Sequence, residues 1–304
     1  MSPATLTGAV RGVGLAAILV SAAGCTVQID GHTFIEREEK RFATGETPEV
    51  TLTTFDGSIR VRAWDRSDVL VDVEKRGSDK DAVAAIQVAA EAAGDRISVE
   101  ARRPASEKRF VGIGLHHSTS ARLVASVPRG ARLIVTTRDG SIAVERVDGR
   151  LELRTDDGSV RVSEAAGDLL VVTRDGSITL ERVSGRVDAR TGDGGIRVTG
   201  APPALLLDTR DGSIVVRADR GAVIEDDWSL RTGDGSVVVE LPQDFNAEID
   251  AETKDGSVRT EFTIAGAGER DRREARRVLR GRLGAGGKLL RVRTNDGSIR
   301  LRTS

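Results

Sequence analysis

A short motif repeated at a fixed spacing constrains this chain more than any other feature. The tetrapeptide Asp-Gly-Ser/Gly-Ile/Val occurs nine times, and a Thr stands two positions before every Asp. Successive repeats are separated by 83, 18, 18, 18, 18, 23, 21 and 41 residues. A recurring interval of this kind is typical of a repeat architecture. The nine acidic residues of the motif are Asp56, Asp139, Asp157, Asp175, Asp193, Asp211, Asp234, Asp255 and Asp296.

Each repeat also carries two alternating apolar pairs. One pair lies three and five places after the Asp, as at Ile142 and Val144, and the other precedes the next Thr, as at Leu151 and Leu153. Apolar residues at every second position predict half-buried strands. We therefore expect each unit to read strand, Asp-Gly turn, strand, second turn. The Gly is expected to supply the positive φ of a sharp turn, while the Asp accepts local backbone N–H groups.

Two architectures fit these units: an antiparallel meander of hairpins, or a solenoid in which each unit forms one coil. The residue before the motif Asp alternates in charge, as at Arg138, Asp156 and Arg174. Like charges stacked at about 4.8 Å would repel by about 0.9 kcal/mol even in water, so alternation favours the solenoid. Duplication of a 36-residue block is the other explanation, because residues 137–154 and 173–190 are identical at 12 of 18 places. The prediction is an all-β, parallel β-solenoid of seven to nine coils, a rod of about 35 to 45 Å.

The solenoid is predicted to cover residues 48–304, with insertions at about 65–128 and 264–287. In the first insertion we expect strands at Val69–Val73 and Ile97–Ala101. Between them, a capping-box-like start and many Ala residues predict a helix over about 79–93, closed by Gly94. This helix is expected to cover the first coil, because a bare solenoid end exposes unpaired backbone groups.

The second insertion is predicted to hold a charged helix over Glu269–Arg282. A solvated helix with acidic partners is the simpler interpretation, and binding of anionic lipid or polysaccharide is the alternative. The basic residues concerned are Arg270, Arg272, Arg273, Arg276, Arg277, Arg280 and Arg282.

The N-terminus has the order of parts of an export signal. A single charge, Arg11, precedes the apolar run Val13–Val20 and small residues that end at Cys25. This run is too short to cross a bilayer as a helix, which needs about 20 apolar residues. A buried free thiol is the alternative interpretation of Cys25.

The segment Ala22-Ala23-Gly24-Cys25 resembles the lipobox of bacterial lipoproteins, although the family more often has Leu where Ala22 stands. The resemblance implies removal of residues 1–24, lipidation of Cys25, and a tether with a first strand over 25–47. Acyl chains hold a protein to a membrane stably when two or more are present. Because Thr26 is not Asp, the resemblance also implies the outer membrane, facing periplasm or surface, in a host that has one.

Composition excludes several classes of function. Lys plus Arg number 46 and Asp plus Glu 47, so no net field draws the chain to nucleic acid. A lone Cys excludes an internal disulfide framework. His116 and His117 are adjacent without a clear third ligand, which favours a surface loop over a metal site. The two Trp and six Phe are too few for broad aromatic stacking.

The Thr-x-Asp-Gly-Ser-Ile units, with the segment Val127–Leu133 leading into them, resemble a bacterial family of cell-envelope domains labelled "putative adhesin", similar to the autotransporter-head-like GIN domains. The resemblance covers roughly residues 48–304. It implies a right-handed β-helix-like fold and an exported or surface location. The activity of the family is largely unassigned.

The stacked Asp residues are the most prominent candidate site. They are interpreted as structural turns, and the alternative is a Ca²⁺ ladder, since Ca²⁺ takes six to eight oxygen ligands. The Thr and Ser columns have no accompanying base, and an enzyme site would break the repeat at one place. A polysaccharide-acting enzyme using Asp-Arg pairs is therefore the less favoured alternative. We expect no catalytic residue, metal or cofactor. The expected function is that of a lipid-anchored adhesin-like or structural interaction module that binds the membrane through its lipid and contacts envelope polysaccharide or another envelope protein.

Overall fold

Two long β-sheets face each other across an apolar core in the computed structural model, which describes the backbone of residues 23–30 and all of residues 33–103, 119–266 and 276–304. Sheet 1 has 13 strands and sheet 2 has 12. The described helix, α1 (Lys80–Ala84), has five residues. No helix in these ranges is long and apolar enough to span a membrane.

The spatial order of the strands differs from their order along the chain, which sets their numbers. Across sheet 1 the order is β1 (Ala23–Asp30), β2 (Thr33–Ala43), β5 (Asp68–Gly77), β8 (Ser120–Pro128), β4 (Ile59–Trp64), β10 (Ile142–Glu145), β12 (Val160–Ala165), β14 (Ile178–Val183), β16 (Ile196–Gly200), β18 (Ile214–Ala218), β20 (Val237–Leu241), β25 (Ile299–Thr303) and β22 (Val258–Thr260). Across sheet 2 it is β23 (Val278–Leu283), β21 (Ala247–Asp255), β24 (Leu289–Asp296), β19 (Trp228–Asp234), β17 (Leu205–Thr209), β15 (Val187–Thr191), β13 (Leu169–Thr173), β11 (Leu151–Thr155), β9 (Arg132–Thr137), β3 (Glu49–Thr54), β7 (Arg96–Arg102) and β6 (Gln87–Ala93).

Residues 18 apart lie next to each other in neighbouring coils, which confirms the parallel β-solenoid. Leu151 pairs in parallel with both Leu133 and Leu169, and Val160 pairs with Ile142 and Ile178. Each Asp-Gly turn connects a strand of sheet 2 to the following strand of sheet 1. The turns therefore stack into one edge of the rod, which we call the Asp-Gly corner.

The predicted apolar pairs form the core. Leu151 and Leu153 are fully buried, as are Val160 and Val162, and the same holds for their equivalents in the neighbouring coils. Burial of one such side chain stabilises the fold by about 1.5 to 3 kcal/mol. Because the columns run the length of both sheets, each coil adds to one continuous core.

Two coils lie out of chain order. The first Asp-Gly coil, β3 with β4, lies between the coil of β7 and β8 and the coil of β9 and β10. The last coil, β24 with β25, lies between the coil of β19 and β20 and the coil of β21 and β22. Accordingly, Thr294 pairs with both Thr232 and Thr253. The repeat motif indicates that the coils stack, but it does not indicate the order in which they stack.

The first insertion contributes more of the solenoid than predicted. β7 and β8 pair in parallel with β3 and β4, so they make a tenth coil beside the nine that carry the Asp-Gly motif. The expected count of seven to nine coils was therefore too low. The predicted strands at 69–73 and 97–101 lie within β5 and β7.

The helix predicted over about 79–93 was wrong beyond its first turn. Asp79 caps α1, because its carboxylate accepts a hydrogen bond from the N–H of Ala82 at 2.7 Å. From residue 87 the chain instead forms β6, which pairs antiparallel with β7. Val88, Ala90 and Ala92 point toward the core, so Ala-rich sequence with an alternating apolar face follows its sheet neighbour rather than its helix propensity.

Antiparallel strands cover the end of the rod that this insertion forms. Strand β5 pairs with β8, β2 pairs with β5, and β1 pairs with β2, while β6 covers the edge of sheet 2. The segment predicted as a tether with a first strand thus contains β2 and most of β1. Strands, rather than the expected helix, provide most of the cap.

The helix predicted over 269–282 is also corrected where the structure describes it. Residues 278–283 form β23, which pairs antiparallel with β21. Residues 269–275 lie outside the described residues. Arg280 faces Asp250 across this pair of strands, so cross-strand ion pairing at the sheet edge replaces the expected solvated helix.

The glycines of the Asp-Gly corner are required for a different reason from the predicted one. Positive φ values occur at Gly57, Gly256 and Gly297, but not at the other six motif glycines. At every motif glycine except Gly57, a Cβ atom would lie within about 2 Å of a backbone carbonyl oxygen in the adjacent coil. At Gly176, for example, it would lie 1.9 Å from the carbonyl oxygen of Gly158. Close stacking of backbone on backbone excludes a side chain there.

Gly194 and its neighbour Gly195 allow a matched test of this requirement. A Cβ at Gly194 would lie 2.0 Å from the carbonyl oxygen of Gly176, whereas at Gly195 the nearest atom is 3.2 Å away. We expect Gly194→Ala to lower the free energy of unfolding by at least about 2 kcal/mol through overpacking. Gly195→Ala should change it by less than about 1 kcal/mol. Urea unfolding of both variants checks this, and equal effects would contradict the stacking argument.

Candidate functional site on the Asp-Gly corner and outer faces

The Thr of every motif is buried beneath the Asp-Gly corner. All nine are at most 8 % exposed. In eight of them the hydroxyl donates to the carbonyl of the motif Gly in the adjacent coil, as from Thr173 to Gly158 at 3.1 Å and from Thr209 to Gly194 at 2.9 Å. In the first motif, Thr54 donates instead to the carbonyl of Ala121 at 2.8 Å. These hydroxyls are hydrogen-bond donors that hold each coil to the next.

The motif carboxylates lie on the outside of the same corner. Asp157 and Asp175 are about half exposed, and Asp255 is three-quarters exposed. Arg174 bridges the first two, with its Nε 3.2 Å from Asp175 and a second nitrogen hydrogen-bonded to Asp157. Arg277 lies 3.6 Å from Asp255. Basic residues therefore offset part of the repulsion within the Asp column.

Repulsion between carboxylates remains at Asp56, the first motif Asp of the column. Burial raises the pKa of Asp56, and the neighbouring carboxylate of Asp139 raises it further against the opposing effect of Arg103. Each of the nine motif coils supplies one carboxylate to the column. Within residues 33–103, 119–266 and 276–304, no three His, Cys, Asp or Glu side chains converge as metal ligands would.

Opposite charges also meet between neighbouring coils on the outer faces of the sheets. Arg161 lies 3.0 Å from Glu181, and Arg182 lies 2.8 Å from Glu164. Ion pairs as exposed as these contribute at most about 1 kcal/mol each. Their main effect is to permit dense stacking of charged residues without net repulsion.

A second corner, opposite the first, holds residues that sequence reasoning missed. Arg146, Glu164 and Arg182 adopt the left-handed conformation, with φ of 60°, 57° and 54°. The three lie one coil apart, and Gly200 follows at the next coil with φ of 138°. Such a conformation costs a non-Gly residue roughly 1 to 2 kcal/mol. Gly200 occupies the equivalent position in its coil, and it is the one residue from which the sequence could have indicated a positive φ at this turn.

The remaining predicted site residues divide between described and undescribed segments. Cys25 belongs to β1, whose backbone pairs with β2 at the end of sheet 1. His116 and His117, like the residues of the export signal before position 23, lie outside the described residues. Lipidation of Cys25 stays a prediction.

The Thr column can be tested by removing one hydroxyl. Thr173 shares its hydroxyl proton between the carbonyls of Asp156 and Gly158 and accepts from the N–H of Gly176 at 3.2 Å. Thr173→Val should leave the Gly158 carbonyl and the Gly176 N–H unsatisfied, whereas the Asp156 carbonyl keeps two backbone N–H donors. We expect a loss of about 1 to 3 kcal/mol in the free energy of unfolding, measured by chemical denaturation. Thr179→Val is the control, because the Thr179 hydroxyl on the outer face makes no hydrogen bond to any described residue. Equal losses would show that the hydroxyl is not what matters.

The raised pKa of Asp56 gives a pH-dependent prediction. An acid whose pKa is higher in the folded state destabilises the fold while it is charged, and this penalty disappears as the pH falls below its usual pKa. Asp56→Asn should therefore raise the melting temperature at pH 7 and lose that advantage in acid. Thermal melts from pH 3 to 7 measure it. A variant less stable than the parent at pH 7 would contradict the origin assigned to the shift.

Three solved structures of bacterial proteins match this chain at low identity. A "putative cell adhesion protein" from Clostridium sporogenes is 10 % identical with a TM-score of 0.28, and the match covers 88 % of this chain and 100 % of that one. A "putative adhesin" from Bacteroides fragilis is 11 % identical with a TM-score of 0.37, covering 87 % and 96 %. A "putative lipid binding protein" from Parabacteroides distasonis is 12 % identical with a TM-score of 0.42, covering 87 % and 96 %.

No curated protein matches the chain. The family model described as Toastrack DUF4097 matches residues 47–302, which is nearly the whole solenoid and agrees with the extent of the resemblance seen in the motifs. With its stacked coils, buried Thr column and Asp-Gly corner, this chain belongs to the Toastrack DUF4097 family, a family of unknown function.

Proposed function

We propose that this chain is a non-enzymatic, lipid-anchored module of the bacterial cell envelope that binds polysaccharide or another envelope protein through its repeated polar surface. The observation that carries the proposal is the register of the outward positions. Glu152, Leu170 and Asp188 are direct neighbours in successive coils, and the other outward columns are aligned in the same way. A partner thus meets side chains in equivalent positions at intervals of about 4.8 Å. Several weak contacts along such an array add up to useful avidity.

The proposed absence of catalysis is supported by how the hydroxyls are used. The Thr hydroxyls that recur in every motif coil are buried and donate to backbone carbonyls, so they are not placed to attack a substrate. The motif carboxylates recur in the same geometry from coil to coil. An enzyme site instead needs one place where nucleophile, base and orienting group meet.

The proposed anchor is supported by the place of Cys25 in the fold. β1 forms the outermost strand at one end of sheet 1, and Cys25 is near its beginning. Acyl chains on this residue would tie that end of the rod to the membrane. The coils would then extend away from the lipid surface.

Mass spectrometry of the native protein tests the anchor. We expect a diacylglyceryl-modified Cys25 as the new N-terminus, and we expect Cys25→Ser to release the chain from the membrane fraction. An unprocessed or freely soluble native chain would refute the anchored module.

A pull-down from envelope extracts with the 25–304 chain tests the binding function. We expect retention of an envelope component that falls with increasing salt, because the contacts are polar and exposed. Retention that requires Ca²⁺ and is abolished by a chelator would favour the ion-binding alternative. Release of products from a uronate polymer, lost on changing one Asp-Arg cluster, would favour the enzyme.

A further inference from the structure

The end of the rod opposite β1 breaks the charge pattern of the other coils. Arg231 of β19 and Arg293 of β24 are register partners on the outer face of sheet 2. Like charges directly opposite each other on neighbouring strands are destabilising. At the same end, Arg259 and Arg300 are register partners on sheet 1. Only folding brings these like charges together, because 62 positions of the sequence separate Arg231 from Arg293.

The coil that lies out of chain order causes this juxtaposition. Thr232, Thr294 and Thr253 are aligned, so the residues just before them are Arg231, Arg293 and Glu252 in three successive strands. If the coils followed chain order, Arg231 would lie beside Glu252 and the charges would alternate. Insertion of β24 separates that pair and adds a cation between its members.

The acidic groups nearby do not neutralise the cluster. Asp250 is hydrogen-bonded to Arg293, lies 2.9 Å from Arg280 and 3.8 Å from Arg291, so one carboxylate is shared by three arginines. Glu252 lies 3.8 Å from Arg293 and 3.2 Å from Arg280. Asp208 of β17 is the register partner of Arg231 on its other side, but within the described ranges Arg231 forms no hydrogen bond or ion pair with it or with any other residue.

These side chains line an open groove of about 450 Å³ across β19, β24 and β21. Its charged lining consists of Arg231, Arg291, Arg293 and Lys254 against Glu252 alone. A second groove of about 780 Å³ shares Lys254 and Glu252 with the first and continues past Arg276 and Arg277. The two grooves together suit an elongated ligand rather than a single small ion.

The position of the groove argues against the lipid of the membrane that anchors the protein. Twelve strand spacings of about 4.8 Å separate β1 from the last strand of sheet 1, so the cluster lies far from Cys25 along the rod. With the proposed anchor at Cys25, a ligand at that end would lie away from the anchoring membrane. Extended anionic glycans match both the length and the charge of the two grooves.

We propose that the groove lined by Arg231, Arg293, Arg291 and Lys254 binds an extended anionic glycan through its carboxylate or phosphodiester groups. This proposal rests on the proposed function and names the partner of that polar surface. Arginine suits it because its planar guanidinium donates two parallel hydrogen bonds to a carboxylate or phosphate. A bound anion between Arg231 and Arg293 would also remove their repulsion.

The test measures affinity by calorimetry with the full chain carrying Cys25→Ser, which cannot be lipidated. The probes are hyaluronan oligosaccharides for carboxylate, poly(glycerol phosphate) for phosphodiester, neutral dextran, and phosphatidylglycerol vesicles. We expect one or both anionic polymers to bind and dextran not to bind. The double variant Arg231→Gln, Arg293→Gln should lose at least about tenfold in affinity, the effect of losing one charged hydrogen bond.

The matched control is Arg154→Gln with Arg190→Gln, which removes the same charge from the same outward column of sheet 2. Both arginines are already paired within their own strands, Arg190 with Asp188 at 2.8 Å and Arg154 with Glu152, so this variant should bind within about twofold of the parent. The single variant Arg231→Gln should change the melting temperature little, because it removes the repulsion from Arg293 together with the attraction to Asp208. A loss of affinity without a loss of stability separates a binding role from a structural one.

Three outcomes would overturn the proposal: no binding of either anionic polymer, equal losses in the two double variants, or binding to the vesicles alone. Equal losses would leave the repeated-surface function intact and refute only this groove. A soluble, unprocessed native chain would refute the anchored module, whatever the groove binds.

Discussion

The hydrogen bond from a buried Thr hydroxyl to the Gly carbonyl of the next coil is the interaction on which the rod depends. It requires that two backbones approach until no Cβ fits between them, as at Gly176 above Gly158. Thr and Gly are therefore coupled, since the donor reaches its acceptor only where the side chain is missing. The apolar pairs fix the register in which this bond forms, because a slip of one residue would turn every core side chain toward solvent. The Asp between them lies outside, where Arg174 bridges two of the carboxylates.

Much of this arrangement could be predicted from the chain itself. The 18-residue interval indicated the stacking partners, and the apolar pairs indicated the core, because both depend on local periodicity. The role of the motif Gly was misjudged, since φ is a local property whereas crowding by the next coil is not. The Ala-rich segment before Gly94 was misjudged for the same reason: its strand exists only because β7 offers an edge. The alignment of the motif residues in one column could thus be predicted, whereas the Arg231 groove could not, because it exists only in the folded order of coils.

Packing and electrostatics have different roles in the stability of this molecule. Apolar columns and the Thr bonds supply stability, while the outer charges are arranged so that stacking does not oppose it. Arg174 between two motif carboxylates and Arg182 beside Glu164 are examples. Where Arg231 meets Arg293 the arrangement departs from this rule. The fold tolerates the contact because each arginine also has an acidic neighbour, Asp208 beside Arg231 and Asp250 hydrogen-bonded to Arg293. Burial works to raise the pKa of Asp250, but the hydrogen bonds from Arg293 and Arg280 outweigh it and hold that pKa below its usual value.

The displaced coils at both ends have a consequence for how the rod comes apart. In an ordinary solenoid the terminal repeats have one neighbour each and fray first. In this rod the coil of β3 and β4 and the coil of β24 and β25 each have a neighbour on both sides, although they are the first and last motif coils along the chain. Neither can unravel by itself, since each is held between coils that come from further inside the sequence. For the coil of β3 and β4 or the coil of β24 and β25 to detach from the stack, the neighbouring coil at that end of the rod must open as well.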